Sequence, residues 1–468
     1  MKHSRSLYVF RRDLRLEDNT ALIAALRDSR EVIPAFIFDP RQYDSRKNTY
    51  FSSPAFAFLL QALTDIDKQL RKKGSQLHVY EGTPDTVLRQ LIRDDGVEAV
   101  YLNRDHTPFA RSRDEKIRKT CVAHNIPYEV HDDVTLSPVA EIATQAGAPY
   151  TVFTPFMRKA RSYPVLPTAP NTKKNYIHTT TMLHAPTVPL DRFRTKDDTN
   201  ALLPGGRSAG LRTLQDLSFL NTYGTDRNLP AIVGTSHLSP HHKFGTVSIR
   251  ETYHAVVSTQ HKDKETFINE LYWRDFYYHI AHHFPHVFGA PLQAWGDALV
   301  WRNDAREIEA WKQGKTGVPI VDAGMRELNE TGWMHNRVRM IVASFLTKNL
   351  LVDWRIGERY FARHLVDYDP SVNNGSWQWC AQVGTDPRPL RIFNPYTQAK
   401  KYDPYATYIK RHVPELRDVD PVLLSDGKER PFDTVAPGYP SPIVDVRMSY
   451  HRAREAYAQA RRNGSPLA

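Results

Sequence analysis

The sequence of 468 residues contains only two cysteines, Cys121 and Cys380. Two thiols exclude a disulfide framework, a four-cysteine zinc site and a four-cysteine iron–sulfur cluster. Apolar runs are also short. None approaches the ~20 residues that a membrane helix needs, and Leu7–Phe10, beside a charged N-terminus, is too short for a signal peptide. We therefore expect a cytoplasmic protein of prokaryotic type that does not associate with a membrane.

The first third of the chain lacks the G-x-G-x-x-G turn that binds dinucleotides in many parallel sheets. Its apolar runs alternate with helical patterns, which predicts a doubly wound parallel sheet. Sheets of this kind bind ligands at the carboxyl ends of their strands. The expected strands are 7–10, 32–38, 77–80, 99–102 and 128–130, and the expected helices between them include 55–72, 85–93 and 109–124.

The remainder of the chain has a different composition. Residues 136–206 are rich in Pro, Thr and Lys and predict a long surface connector. From residue 207 onward, apolar residues recur at three- and four-residue spacing, as in 266–279 and 336–347. We predict an α/β domain over 1–135, a connector over 136–206 and an all-helical domain over 207–468.

Charge and tryptophan are distributed unevenly. The chain has 63 Lys and Arg against 52 Asp and Glu, a formal charge of +11 that points to a polyanionic partner, with an ordinary basic surface as the alternative. All eight tryptophans follow residue 270. Trp377 and Trp379, two apart on a helix, point in different directions, which suggests separate roles; core packing is the alternative.

One histidine cluster has spacing that could hold a metal. No acidic or cysteine partner accompanies it, so a half-exposed helix face is favoured and no metal is predicted. The cluster comprises His279, His282, His283 and His286.

Eight blocks resemble the photolyase/cryptochrome family, and they follow the family's order along nearly the whole chain. The resemblance implies an α/β antenna domain and a helical FAD-binding domain, closest to the class I cyclobutane pyrimidine dimer (CPD) DNA photolyases. The blocks are RRDLRLEDN (Arg11–Asn19), GTSHLS (Gly234–Ser239), ELYWRDF (Glu270–Phe276), GWMHNRVRM (Gly332–Met340), WRIGE (Trp354–Glu358), DYD (Asp367–Asp369), NNGSWQW (Asn373–Trp379) and RIFNP (Arg391–Pro395).

The resemblance implies a set of FAD contacts. Thr235 and Ser236 offer donors for a pyrophosphate near a helix start, with an ordinary N-cap as the alternative. Arg339 and Asp367 would form an ion pair against the isoalloxazine that favours the reduced anion FADH⁻, and Asn373 would face the flavin N5. The full set is Tyr223, Thr235, Ser236, Leu238, Ser239, Arg274, Arg339, Asp367, Asp369 and Asn373.

The resemblance also implies an electron relay and a lesion site. Electrons would reach the flavin through three tryptophans, Trp377, Trp354 and Trp301. A flipped pyrimidine dimer would stack on aromatic walls, while polar groups hold its edge and arginines hold the DNA backbone. The lesion residues are Glu270, Trp273, Asn336, Met340, Asn373 and Trp379, and the DNA contacts are Arg227, Arg337 and Arg391 together with Trp273 and Trp379.

The implied activity is light-driven repair of cyclobutane pyrimidine dimers, by electron transfer from excited FADH⁻ to a dimer in UV-damaged DNA. Asn336 and Met340 stand where 6–4 photoproduct enzymes carry histidines, and Asn373 stands where plant and insect cryptochromes carry Asp or Cys. The alternatives are a blue-light receptor and a non-photochemical nucleic-acid-binding flavoprotein. The protein is expected to be a monomer.

An antenna chromophore is a further expectation. The segment after the fourth predicted strand, YLNRDHTPFA (Tyr101–Ala110), resembles the branch that binds 8-hydroxy-deazaflavin more than the folate branch. Asp105 is its expected polar contact. A strand-end loop without a chromophore is the alternative.

Overall fold

The computed structural model describes residues 1–194, 203–386, 388 and 390–464. The chain divides into two compact units, and each has its own hydrophobic core. The first unit comprises residues 1–149, 155–218 and 236–283, and the second comprises 150–154, 219–235 and 284–468. The predicted domain boundaries at residues 135 and 206 stay a prediction, and residues 195–202 of the predicted connector lie outside the described residues.

A parallel sheet forms the centre of the first unit. Its strand order is β3-β2-β1-β4-β5, and every pairing is parallel. The order reverses between β1 and β4, so the carboxyl ends of these two strands border the crevice where such sheets bind ligands. The predicted doubly wound sheet is confirmed, with strands β1 (His3–Phe10), β2 (Ser29–Phe38), β3 (His78–Glu81), β4 (Ala99–Asn103) and β5 (Tyr128–His131).

Helices cover the sheet because its central strands are apolar on both faces. Leu7 and Tyr8, neighbours on β1 that point to opposite faces, are both buried, and so are Val32 and Ile33 on β2. The helix that follows β1 is absent from the prediction, although Asn19 caps it by accepting a hydrogen bond from the Leu22 amide. The helices up to residue 283 are α1 (Thr20–Asp28), α2 (Pro40–Tyr43), α3 (Ser53–Arg71), α4 (Pro84–Asp95), α5 (Pro108–Ala123), α6 (Phe153–Ala160), α7 (Arg207–Gln215), α8 (Tyr223–Asp226), α9 (Ser239–Phe244), α10 (Ile249–Val257) and α11 (Lys264–His283).

The described part of the predicted connector is more ordered than its composition suggests. It contains α6, and its Asn175–Ile177 segment pairs with β2: the Val32 amide donates to the Asn175 carbonyl at 3.0 Å, and the Ile177 amide donates to the Val32 carbonyl at 2.9 Å. This segment is fixed because Tyr176 and Ile177 are buried. Such long-range pairing leaves no local signal in a Pro- and Thr-rich stretch.

The second unit is helical beyond residue 284, as its spacing predicts. Its core includes the buried rings of Trp311, Trp354 and Trp377. The predicted helix over 336–347 ends as an α-helix at Ser344 and continues as a π turn, Phe345–Asn349, in which the Leu350 amide donates to the Phe345 carbonyl at 3.0 Å. The helices are α12 (Ala305–Gln313), α13 (Pro319–Thr331), α14 (Asn336–Ser344), α15 (Trp354–His364), α16 (Pro370–Ala381), α17 (Pro395–Tyr402), α18 (Thr407–His412), α19 (Pro421–Ser425) and α20 (Val446–Gly464).

Among the described residues, no helix is both long enough and apolar enough to cross a membrane.

Candidate active site

An arginine–carboxylate pair lies beside α14 in the second unit. Arg339 donates through both terminal nitrogens to Asp367, at 3.2 and 3.0 Å, and through Nε to the Met334 carbonyl at 2.7 Å. The Asp367 side chain is 4% exposed and that of Arg339 is 23% exposed. The predicted pairing is therefore present, and its two parallel bonds fix the plane of the guanidinium. Its contact with a flavin stays a prediction.

Asn373 lies one turn into α16 with its amide oriented by the protein. Asp369 caps this helix by accepting from the amides of Ser371 and Val372 at 3.0 and 3.3 Å. The side-chain nitrogen of Asn373 donates to the backbone carbonyl and to Oε1 of Glu358, both at 3.1 Å. Because both partners are acceptors, the amide nitrogen faces Glu358 and the amide oxygen points away from it. Glu358 is absent from the predicted site, although it ends the WRIGE block.

Trp377 is held by close packing against a glycine. A Cβ on Gly357 would lie 2.1 Å from its Cη2 atom, so glycine alone fits beneath this ring. Phe361 and Trp311 contact the ring edge-on, with centroids at 5.0 and 6.2 Å. Gly357 and Trp311 are absent from the predicted surroundings of Trp377, although Gly357 stands within the WRIGE block.

The other two relay candidates differ in burial. Trp354 begins α15 and is buried in the core of the second unit, whereas Trp301 is half-buried with its ring centroid 6.4 Å from that of Tyr457. The set thus contains two enclosed rings and one that solvent reaches. Its role in electron transfer stays a prediction.

Trp379 is half-buried and carries an arginine on its face. The guanidinium carbon of Arg391 lies 4.9 Å from the ring centroid, and its Nη2 donates to Asp386 at 2.8 Å. Trp377 is buried and Trp379 is half-buried, so the two rings have different surroundings; separate roles for them stay a prediction.

The exposed side of α14 carries further predicted residues. Asn336, its first residue, is exposed, and Met340 is half-buried with its sulfur 3.7 Å from Arg337 Nη1. Arg337 also donates to Asn228 Oδ1 at 2.5 Å and lies 4.4 Å above the Tyr402 ring. Arg227 lies over the Tyr223 ring at 5.6 Å. In this unit, therefore, several predicted arginines rest on aromatic faces.

The first unit carries the remaining lesion residues on α11. Glu270, Trp273 and Arg274 follow one another at i, i+3 and i+4, which places them on one side of the helix. The centroids of Trp273 and Tyr277 are 5.8 Å apart. Arg274 donates to the carbonyls of Val134 and His242 and to the Tyr278 hydroxyl. These contacts hold the guanidinium within the unit, and its predicted flavin contact stays a prediction.

The GTSHLS block forms a turn before α9. Gly234 lies so close to the Asp226 carbonyl that a Cβ would come within 2.6 Å of it. Ser236 Oγ accepts from the Leu238 amide at 3.3 Å, and α9 begins at Ser239. The predicted helix start is present, but its N-cap residue is Leu238, which makes no side-chain cap hydrogen bond, so Ser236 stabilises the preceding turn and does not act as the N-cap. Contact of Thr235, Ser236, Leu238 and Ser239 with a pyrophosphate stays a prediction.

Asp105 follows β4 in the first unit and is nearly buried. It accepts from the His106 amide at 2.8 Å and pairs with Arg12 at 3.5 Å. Burial opposes its ionisation, but Arg12, Arg113 and Arg11 outweigh that effect and hold the pKa of the carboxyl below its usual range. The carboxylate is thus already neutralised by protein charges, and its contact with an antenna stays a prediction.

The histidine cluster differs from its predicted setting at one position. His279 is fully buried and its Nδ1 lies 2.9 Å from the Val139 carbonyl, so the expectation of a half-exposed face is wrong there. The reason is that Phe156 of α6 covers that side of α11, where its ring contacts the rings of Phe276 and His279. The described residues contain no group of three or more potential ligands arranged to hold a metal ion.

Comparison with known proteins covers nearly the whole chain. Residues 6–173 match the family described as DNA photolyase, and residues 267–459 match the FAD binding domain of DNA photolyase. The deoxyribodipyrimidine photo-lyase of Synechococcus sp. is 38% identical over 97% of this chain and 96% of its own length.

Solved structures agree with the sequence matches. An archaeal photolyase from Sulfolobus tokodaii, described with two FAD molecules, has a TM-score of 0.86 and 40% identity over 97% of this chain and 100% of its own. A bacterial class III photolyase from Agrobacterium tumefaciens has a TM-score of 0.90 and 34% identity over 99% and 98%. The likeness to a class III enzyme leaves the class I assignment a prediction. The family itself is settled: this chain belongs to the DNA photolyases and carries their FAD-binding domain.

Proposed function

We propose that this protein repairs cyclobutane pyrimidine dimers in DNA, using light and reduced FAD. The main support for the proposal is the side-chain amide of Asn373, which Glu358 orients. Asn373 lies on α16, the helix of the NNGSWQW block that resembles the family's flavin site. Family membership over 97% of the chain supplies the reaction class. Asn336, Met340 and Asn373 favour dimer repair over 6–4 repair and over light signalling.

The residues of the second unit fit a flavin by their donor chemistry. Arg339 presents a cation whose charge is balanced by Asp367, and Asn373 presents an amide that cannot titrate near neutral pH. Reduced FAD, when bound, supplies the electron that a photon drives to the dimer and receives it back after the ring opens. The paired guanidinium favours the anionic reduced ring, and the neutral amide avoids supplying it with a proton.

The dimer itself is proposed to be held by groups of both polar and aromatic kinds. Trp273 and Trp379 stack on the flipped bases, Glu270 and Asn336 bond their polar edges, and Met340 fills the apolar remainder. Arg227, Arg337 and Arg391 bind phosphates of the damaged strand. In the structure the arginines rest on rings, an arrangement that pre-orients a guanidinium before DNA arrives.

Trp377, Trp354 and Trp301 are proposed to reduce the resting flavin and not to act in repair itself. Tyr223, Arg274, Asp369 and the Thr235–Ser239 segment complete the FAD contacts. An antenna of the 8-hydroxy-deazaflavin type at Asp105 belongs to this proposal as well, because the residue follows β4 at the strand-order reversal of the sheet. UV-damaged DNA is the proposed partner, and a monomer the proposed state.

The test is a repair assay on an oligonucleotide that carries one thymine dimer. Anaerobically reduced protein is mixed with it, and thymine absorbance is followed under blue light and in the dark. We expect recovery only in light, and a strong loss of recovery in Asn336→Ala and Glu270→Ala. A reduced flavoprotein that binds the oligonucleotide but restores no thymine in light would contradict the proposal and favour a photoreceptor. A Synechocystis sp. cryptochrome of known structure has 29% identity to this chain and a TM-score of 0.86.

A further inference from the structure

A lysine is buried in the π turn of the second unit. Lys348 is 3% exposed, and its Nζ donates to the backbone carbonyl of Arg391 at 2.6 Å. The π turn adds one residue to the helical path, and such turns recur at functional sites. The ammonium thus reaches from the helical core to the loop that carries one of the proposed DNA contacts.

Moving an ammonium group from water into a protein core costs desolvation free energy. A buried lysine is therefore a candidate for a specific structural or functional role. The titratable groups around Lys348 are Cys380 on α16, and Asp386 and Arg391 on the loop. Its hydrogen bond is made to a main-chain carbonyl and not to the Asp386 carboxylate, which instead binds the Arg391 guanidinium. The lysine therefore acts on the position of the Arg391 backbone.

Gln382 also binds the Arg391 backbone, at its amide. This glutamine ends α16 in a left-handed conformation, φ 56°, and its Oε1 accepts from the Arg391 amide at 2.8 Å. The carbonyl and the amide of Arg391 are thus each bound by a side chain from the helical core. With its backbone fixed, the guanidinium of Arg391 lies on Trp379.

We infer that Lys348 is a positioning residue for DNA: with Gln382 it braces the Arg391 backbone, so that the guanidinium stands over Trp379 ready for a phosphate. The inference rests on the proposed function, because it takes Arg391 as a DNA contact. Neither residue needs to touch DNA for this role.

The test is Lys348→Met, which keeps an unbranched chain but removes the donor. We expect the Kd for dimer-containing DNA to rise about tenfold and the slope of log K against log salt to fall by about one phosphate contact. Arg391→Ala should give the same two changes, and Lys348→Met should add nothing in that background. A lysine that merely stabilised the fold would not alter the salt slope.

The matched control is Lys312→Met, which removes one positive charge from the same unit at a partly exposed lysine. Bound-flavin absorbance and its photoreduction report folding in every variant. If Lys348→Met fails to retain flavin, Gln382→Ala tests the brace from the amide side, with the same expected fall in slope.

Three results would overturn the inference: unchanged affinity in a folded Lys348→Met protein, a loss that persists undiminished in the Arg391→Ala background, or an unchanged slope in Gln382→Ala. Failure of the proposed function has a different signature. If Arg391 does not contact DNA, Arg391→Ala will leave both the DNA affinity and the salt slope unchanged. Hydrogen exchange of the Arg391 amide would still be faster in Lys348→Met, because the brace on its backbone is lost.

Discussion

The first and second units both hold arginines against other side chains, but they do so in different ways. In the first, Arg15 and Arg250 share the carboxylate of Asp133, at 2.5 and 2.8 Å, with all three side chains at most 9% exposed. In the second, Arg337 and Arg391 rest on the rings of Tyr402 and Trp379. The ion network encloses its charges inside the first unit, whereas Arg337 and Arg391 combine a ring face with one polar partner each, Asn228 and Asp386. Arginine content alone therefore does not identify the site.

The largest expected effect comes from breaking the ion network of the first unit. Asp133→Asn keeps the side-chain shape but removes the buried charge that Arg15 and Arg250 share, while Arg250 keeps its pair with Asp18 at 3.1 Å. The variant should lower the free energy of unfolding by about 3–5 kcal/mol. Asp132→Asn is the matched control, because that neighbour forms only an exposed pair with Arg104 and should cost less than about 1 kcal/mol. Chemical denaturation of both variants measures the difference; equal effects would contradict the distinction between the two kinds of pair.

A second prediction tests the packing of the aromatic core in the other unit. Gly357→Ala forces Trp377 or its neighbours to move, since the new Cβ would stand 2.1 Å from the ring. Overpacking of this kind should cost about 1–3 kcal/mol and slow photoreduction of the flavin. Arg363→Ala, at an exposed position of the same helix, serves as the control. Unfolding curves and flavin bleaching under blue light are the measurements, and an unchanged photoreduction rate would contradict the proposed role of Trp377.

A third prediction compares two tryptophans in the same local arrangement. The guanidinium of Arg461 lies 4.9 Å from the Trp295 ring, the separation found for Arg391 and Trp379. Trp379→Ala should weaken binding of dimer-containing DNA about tenfold or more, because one base–aromatic stack contributes about 1–3 kcal/mol. Trp295→Ala should leave affinity unchanged. Fluorescence titration decides, and equal losses would mean that the ring–guanidinium pair acts through stability alone.

The smallest effect concerns pH. Burial lowers the pKa of Lys348 to about 8, although Cys380 and Asp386 raise it in part. Above that pH the native protein has lost a proton that the unfolded chain retains up to its ordinary pKa near 10.4. The free energy of unfolding should therefore rise with pH relative to Lys348→Met, by about 1 kcal/mol between pH 8 and 9. Denaturant titrations of both proteins test the sign; a difference that falls with pH would contradict it.

Elements with a local signal were predictable from the sequence. The runs of β1 to β5 are short, apolar and separated by helical patterns, so each strand could be placed to within a few residues. Helix α1 was not predicted, although Asn19, the last residue of the RRDLRLEDN block, is a typical N-cap residue and marks its start. Helix α6 escaped prediction because the surrounding stretch is rich in Pro and Thr.

The candidate site was predictable as a set of residues and not as a set of contacts. Motif blocks named Arg339, Asp367 and Asn373, yet Glu358, which orients Asn373, emerges only from the packing of α15 against α16. The same holds for Lys348, whose partner is a backbone carbonyl 43 residues away. Every residue has a backbone carbonyl, so the sequence does not show which one accepts a given hydrogen bond, and only the structure identifies such contacts.

The π turn at Phe345–Asn349 also sets a rule for insertions and deletions. Successive residues of an α-helix are rotated by about 100° about its axis. Deleting one residue of the π turn before Lys348 would restore the α-helical hydrogen-bond pattern. The deletion would also rotate Lys348 away from the Arg391 loop. The helix could remain continuous while the loop lost its anchor. Chain length in this segment is therefore as restrictive as residue identity, and a shortened homologue should require a different means of holding that loop.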